Sequence, residues 1–195
     1  LLLEHPHVYT KGRLSQPEQL LLTPAEMDQT GISLVETDRG GLVTYHGPGQ
    51  LVAYPVVNLR NWGGPLQYVR TLEQIIIQVL ADLGIEAGLA EGLTGVWVGN
   101  AKIAAIGVKI SRGVAYHGFA INVNTDLSYF DHIIPCGIDD RSVTSMAQVL
   151  DEALEMAAVE YSVAYQFGKA MGFKMVEADA NIVLSAVSSD ETPTK

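Results

Sequence analysis

"GVWVGNAKIAAIGVKISRGVAYHGFAINVN", residues 95–124, decides the fold. Three runs rich in β-branched and small apolar residues are separated by two turn signals. Gly99-Asn100 is a hairpin pair between "GVWV" and "AKIAAIGVKI" (101–110), and Ser111-Arg112-Gly113 turns that run into "VAYHGFAINVN" (114–124). Successive hairpins make an antiparallel meander. Strict alternation puts Lys102, Ala104, Ile106 and Val108 on one face, with Ile103, Ala105, Gly107 and Lys109 on the other. Lys102 then shares a face with apolar side chains, a costly placement unless it sits at the rim or has a partner. The plain reading is a lysine snorkelling from the strand end. Ala104, Ala105 and Gly107 leave room beside the strand, for a ligand or for a neighbouring helix.

Outward from the meander, "GGPLQYVRTLEQIIIQVLADLG" (63–84) is the clearest helix: Leu66, Val69, Leu72, Ile76, Leu80 and Leu83 recur at helical spacing, Pro65 suits the first turn and Gly84 the stop. "LVAYPVVNL" (51–59) reads as a strand in which Pro55 marks an edge or a bulge. Ser145 and Gln148 have capping-box spacing before a short helix. A second long helix is expected over about 155–172, with Val159, Val163, Phe167 and Ala170 on one side. Antiparallel strands with interspersed helices predict an α+β fold, a mixed and largely antiparallel sheet covered by helices. No repeat or long linker divides the 195 residues, so a single domain is expected, with a polar tail from about residue 186. The start, "LLLEHPHVY", reads as a strand entered partway, and an N-terminal segment is expected to be missing.

Composition narrows the function classes. With 48% hydrophobic and 17% charged residues the chain is globular rather than disordered. No apolar run approaches the roughly 20 residues of a membrane span. A single cysteine excludes an intrachain disulfide and multi-cysteine zinc sites, and suits a reducing, cytoplasmic setting. The net charge of −10 argues against nucleic acid, whose binding needs many phosphate neutralisations. The acid excess is uneven: residues 1–112 hold 8 Lys+Arg against 10 Asp+Glu, and residues 113–195 hold 4 against 12. The front half therefore retains enough base to meet an acidic partner.

Two further stretches look unlike scaffold. "DRGGLVTYHGPGQ" (38–50) packs four glycines and a proline around Arg39, Tyr45, His46 and Gln50. Glycine lets backbone approach a ligand closely; a pair of turns flanking a short strand is the bland alternative. It is not a phosphate loop, having no Gly-Lys-Ser/Thr. "HIIPCGI" (132–138) holds the lone cysteine, Cys136, between Pro135 and Gly137. A lone cysteine is commonly a small buried hydrophobe, but a proline that fixes φ and a glycine that frees it hold a side chain at the apex of a bend. The thiolate is the nucleophile, and a nearby cation favours it; Lys102, His46, His117 and His132 are the candidates.

Together these segments resemble one family, the lipoyl(octanoyl) transferases of lipoate biosynthesis. The resemblance runs from "LLLEHPHVYTKGR" through "TDRGGLVTYHGPGQLVAYPVVNL", "AKIAAIGVKI" and "HGFAINVNTDLSYFDHIIPCGI" to "SVTSM", covering most of residues 1–150. It implies a biotin/lipoate protein ligase-like domain that moves an octanoyl group from octanoyl-acyl carrier protein to a lysine of lipoyl domains, in E2 subunits of 2-oxoacid dehydrogenases and in glycine cleavage H protein. No cofactor, metal, nucleic acid or membrane is implied. By motif match Cys136 is the acyl-thioester nucleophile and Lys102 its partner, lowering the thiol pKa and relaying protons. Substrate-binding positions fall on Arg39, Gly40, Gly41, Leu42, Val43, Thr44, Tyr45 and His46, on Ala105, Ile106 and Gly107, and on Gly118, Phe119 and Ala120. His5 and His117 shape the site, His117 reading equally as a core histidine; His7 and His132 receive no role. Leu42 departs from the family by standing where a polar residue is common. The rivals are an ATP-dependent lipoate or biotin ligase of the same fold, a silent module binding lipoyl domains or acyl carriers, and a Cys–His hydrolase.

Overall fold

The computed structural model describes residues 1–60, 62–134 and 142–178. In chain order the strands are β1 (Leu2–Leu3), β2 (Val8–Lys11), β3 (Ser33–Glu36), β4 (Thr44–His46), β5 (Gln50–Ala53), β6 (Val57–Asn58), β7 (Val96–Val98), β8 (Ala101–Ser111) and β9 (Val114–Asn122). The helices are α1 (Pro24–Thr30), α2 (Pro65–Asp82), α3 (Met146–Leu150) and α4 (Met156–Met171), and a 3-10 turn spans Leu127–His132.

The predicted hairpins build the larger sheet. β8 and β9 pair antiparallel from Ala104–Ile121 to Ser111–Val114, and the order is β1-β5-β9-β8-β7 with β6 also beside β9. Arg112 and Gly113 both take positive φ (51° and 84°), so the turn is a two-residue, mirror-type turn whose twist matches its strands. A smaller sheet, β3-β2-β4, pairs β2 parallel to β3 and antiparallel to β4. The architecture is α+β with a mixed, largely antiparallel sheet content.

Two departures from strict strand geometry shape the cleft. Opposite β8, Val96 pairs with Ala104 but Trp97 with Lys102, which leaves Ile103 as an extra residue in a β-bulge. A bulge resets the side-chain phase. Ile106 and Val108 pack on the main core, and Lys102 falls out of phase with them, so it does not share their apolar face as uninterrupted alternation requires. The second departure breaks the strand expected over 51–59 into β5 and β6 at Tyr54-Pro55-Val56. Proline has no N–H for a ladder. Opposite the break, His117 has φ 59°, and a side chain on Gly118 would overlap the Ala53 carbonyl oxygen and the Pro55 ring.

Helices α2 and α4 supply the other half of the core. The buried stripe of α2 is Tyr68, Leu72, Ile75, Ile76, Val79 and Leu80. Leu66, expected inward, is 72% exposed, because it projects from the far side of the first turn from Tyr68. Val159 and Val163 of α4 are buried and Phe167 is half-buried, whereas Ala170 is exposed. Two polar residues occupy that face instead: Ser162 Oγ and Gln166 Nε2 donate to Asp82 Oδ2 at 2.8 and 2.7 Å, tying α4 to the end of α2. Half of the expected capping box forms at α3. Gln148 N–H donates to Ser145 Oγ at 3.1 Å, while the Gln148 amide oxygen accepts from Thr144. A second, smaller core holds Tyr9, Ile32, Val43, Tyr45, Phe130 and Ile133. Among the described residues no helix is long and apolar enough to cross a membrane. The polar tail lies outside the described residues.

Candidate active site

A cleft of about 410 Å³ is lined from both sheets and from the Arg39–Thr44 loop. The loop is tied down by four backbone bonds. Gly12, Arg13 and Leu14 donate backbone N–H bonds to Leu42, Arg39 and Gly41, and Gly40 N–H donates to the Val108 carbonyl at 3.1 Å. Asp38, at the loop entrance, accepts from Lys109 Nζ and His117 Nε2, both at 2.6 Å, and from Tyr116 at 3.3 Å. The His117 bond, followed by the Lys109 bond, holds the Asp38 carboxyl well below the usual carboxylate range. Gly107 explains the close fit: a Cβ there would stand 3.0 Å from the Gly40 oxygen and 3.2 Å from Arg39 Cδ.

Arg39 is fixed by neutral groups. Its Nη2 donates to the Thr10 carbonyl (2.7 Å) and hydroxyl (2.8 Å), and its Nη1 to Gly40 O (3.0 Å). Burial lowers its pKa to about 10, so it remains a cation at neutral pH.

A buried polar chain crosses the back of the cleft. His46 Nδ1 meets Gln50 Oε1 at 2.7 Å, Gln50 Nε2 donates to Tyr45 O and Asn122 Oδ1, and Asn122 Nδ2 donates to Thr144 O. Thr144 N–H donates in turn to Lys102 O at 2.9 Å. Desolvation pulls the His46 pKa down to about 4. Gln50 and Asn122 line the cleft, and sequence reasoning assigned neither a role; the available signal was a polar residue inside the apolar run "FAINV".

Lys102 borders the cleft, its Nζ 4.8 Å from the centre of the buried Trp97 ring, a cation–π placement. Cys136 lies outside the described residues, as do Pro135 and Gly137. The chain on either side is anchored. Ile134 N–H donates to Gln19 O, and Lys102 N–H donates to Ser142 O, both at 2.9 Å, within a parallel bridge between Lys102 and Val143.

The cleft wall brings together Arg39, Gly41 through Thr44, His46, Ala105 through Gly107, and His117 through Ala120. Three expected residues stand elsewhere. Tyr45 is wholly buried in the second core, stacked on Tyr129 at 4.8 Å with its hydroxyl 2.8 Å from His7 Nδ1. Gly40 contributes its peptide to the loop anchor. His5 stands behind Tyr54, its Nε2 2.7 Å from the Tyr54 hydroxyl, and burial lowers its pKa. His132 Nδ1 meets Tyr9 at 3.0 Å, in the same aromatic cluster as His7.

Sheet, covering helices and cleft define the class, an α+β domain of the lipoate ligase type. The fold is similar to that of lipoate-protein ligase A bound with ATP (TM-score 0.77, 19% identity, covering 97% of this chain and 80% of that one). It is also similar to a bi-partite lipoate protein ligase from Thermoplasma acidophilum (TM-score 0.73, 17% identity, 97% and 78%). The sequence is more specific. The family described as lipoyl protein ligase A/B catalytic domain matches residues 1–168, and the chain belongs to that family. It is 52% identical over 184 residues to the octanoyltransferase of Solibacter usitatus, covering 91% of this chain and 83% of that one. It is 55% identical over 163 residues to the octanoyltransferase of Chloroflexus aggregans, covering 82% and 74%. The chain is an acyltransferase.

Proposed function

We propose that the protein transfers an octanoyl group from octanoyl-acyl carrier protein to a lysine of lipoyl domains, in E2 subunits and H protein, through a thioester on Cys136, with Lys102 as the proton carrier. The observation that carries the reading is the bulge at Ile103. It takes Lys102 off the apolar face and sets it on the cleft, with its backbone paired to the chain that follows Cys136.

The chemistry follows from these groups. The thiol proton passes to Lys102, and the thiolate attacks the donor's thioester carbonyl. The tetrahedral intermediate collapses with loss of the carrier thiolate, which takes the proton back from Lys102. One thioester replaces another, so this exchange needs no nucleotide. An acceptor ammonium has no lone pair, and Lys102 removes its proton before the amine attacks the acyl-enzyme. Amide formation from a thioester runs downhill: the attacking nitrogen gives its second proton to the departing Cys136 sulfur, which leaves as the thiol, and Lys102 returns its proton to solvent. Arg39, a cation on the cleft wall, supplies positive charge to the site. Ala105, Gly107, Gly118 and Ala120 leave an apolar slot, in which each buried methylene contributes about 0.8 kcal/mol. Residues 1–195 act in this reading as one catalytic domain.

Incubation with octanoyl-acyl carrier protein without ATP, followed by intact-mass measurement, tests the proposal. A gain of one octanoyl group that disappears in Cys136→Ser is expected. No adduct, with ATP-dependent use of free octanoate instead, assigns the ligase reaction. Binding without turnover assigns the silent module, and free octanoate as the main product assigns the hydrolase.

A further inference from the structure

Glu73 stands mid-helix in α2 with 0% exposure, between Leu72 and the buried Ile75 and Ile76. A buried carboxylate is expensive unless it is paired, and a leucine would fill the space without that cost. Its partners show what it holds. Arg70, one turn earlier and with its side chain 56% exposed, donates Nη1 to Oε2 at 2.7 Å. The backbone N–H of Gly95 donates to Oε1 at 3.2 Å, across from the helix to the start of β7.

Gly95 is itself committed to its place. Its φ is 123°, a conformation that L side chains rarely adopt. A Cβ there would lie 2.7 Å from the Ala104 oxygen, 3.4 Å from Lys102 Cε and 3.7 Å from Lys102 Cδ. The alkyl chain of Lys102 therefore rests beside the bare Gly95 backbone. Two residues on, the Trp97 ring takes the ammonium end at 4.8 Å.

We propose that Glu73 is a positioning residue for Lys102: its carboxylate fixes the Gly95 peptide, and Gly95 with Trp97 holds the lysine side chain in its working place on the cleft. The inference rests on Lys102 being the proton carrier and extends that role to a residue with no exposed surface. Displacing a catalytic group by about 1 Å costs up to about 100-fold in rate, so a fixed lysine justifies a costly buried charge.

The test uses the full chain with Lys102→Ala, Glu73→Leu, Glu73→Gln and Glu73→Asp, each followed by thermal unfolding and by the pH profile of single-turnover octanoyl transfer. Glu73→Gln keeps an oxygen for Gly95 and is expected to stay within about threefold of the parent with an unchanged profile. Glu73→Leu is expected to fold, lose about tenfold or more and shift its profile toward that of Lys102→Ala. Glu73→Asp keeps the charge but withdraws it from Gly95, and it reads the same shift should the leucine variant not fold. A folded Glu73→Leu or Glu73→Asp with the parent rate and profile, beside a crippled Lys102→Ala, overturns the positioning role alone. An unaltered Lys102→Ala overturns the Lys102 reading, and this inference with it.

Discussion

His46 Nδ1 lies 2.7 Å from Gln50 Oε1, at the end of a buried chain whose every orientation is set by backbone carbonyls. Thr144 O requires the Asn122 amide nitrogen, which turns Asn122 Oδ1 toward Gln50. Gln50 Nε2 then faces two acceptors, Asn122 Oδ1 and Tyr45 O, so Gln50 Oε1 must accept from His46. His46 is thereby the neutral Nδ1–H tautomer, with Nε2 as an acceptor.

Acid stability follows from that burial. The folded pKa of about 4 lies below the ordinary histidine value, so protons favour the unfolded chain. Stability is complete above about pH 6.5 and is lost as pH falls toward 4, by about 3 kcal/mol in all. Urea unfolding at a series of pH values should show a steeper loss in the parent than in His46→Gln, which keeps only the smaller slope that the lowered His5 leaves. An equal slope in both contradicts it.

Gly118→Ala should be damaging and Gly88→Ala should not. A methyl on Gly118 overlaps Ala53 O and Pro55, whereas nothing lies within 4 Å of one on Gly88. Overpacking of this kind costs about 1–3 kcal/mol, and the displaced strand also forms the cleft wall. Thermal unfolding and transfer rates are expected to fall together for Gly118→Ala, while Gly88→Ala stays near the parent in both.

Tyr45→Phe separates the second core from the cleft. The lost hydroxyl bond to His7 should lower stability by about 1 kcal/mol, with kcat and KM unchanged. A raised KM for the octanoyl donor would return Tyr45 to the substrate contacts that its motif implies.

Asp38→Asn should loosen the loop that carries Arg39. The carboxylate stays ionised far into acid, so its His117 and Lys109 bonds persist throughout the assay range. Steady-state kinetics are expected to show a higher KM with little change in kcat, and the gap to the parent should narrow as salt screens the Lys109 pair. A fall in kcat alone contradicts a purely anchoring role.

Much of the fold was legible because its signals are local. Gly99-Asn100 and Arg112-Gly113 announce their hairpins, and the Leu72, Ile76 and Leu80 periodicity survives the misplacement of Leu66. What was not legible depends on partners distant in sequence. Nothing in "AKIAAIGVKI" marks Ile103 as a bulge, because the extra residue is defined only against Trp97 and Val96 on the facing strand. Pro55 signals a break but not its counterpart, a histidine at positive φ across the sheet. The Arg39–His46 motif is visible as a glycine-rich stretch, yet only packing sends Tyr45 behind the wall while His46 stays on it. Glu73 looks like an ordinary helix residue until Gly95, 22 positions later, is found on its carboxylate.

The central claim, that Lys102 readies the Cys136 sulfur, is tested most directly by the rate of Cys136 alkylation against pH in the parent and in Lys102→Ala. The account predicts a midpoint below the free-thiol value of about 8.5 in the parent and a clear rise in the variant, at unchanged unfolding temperature. Superimposable curves from two folded proteins would contradict it.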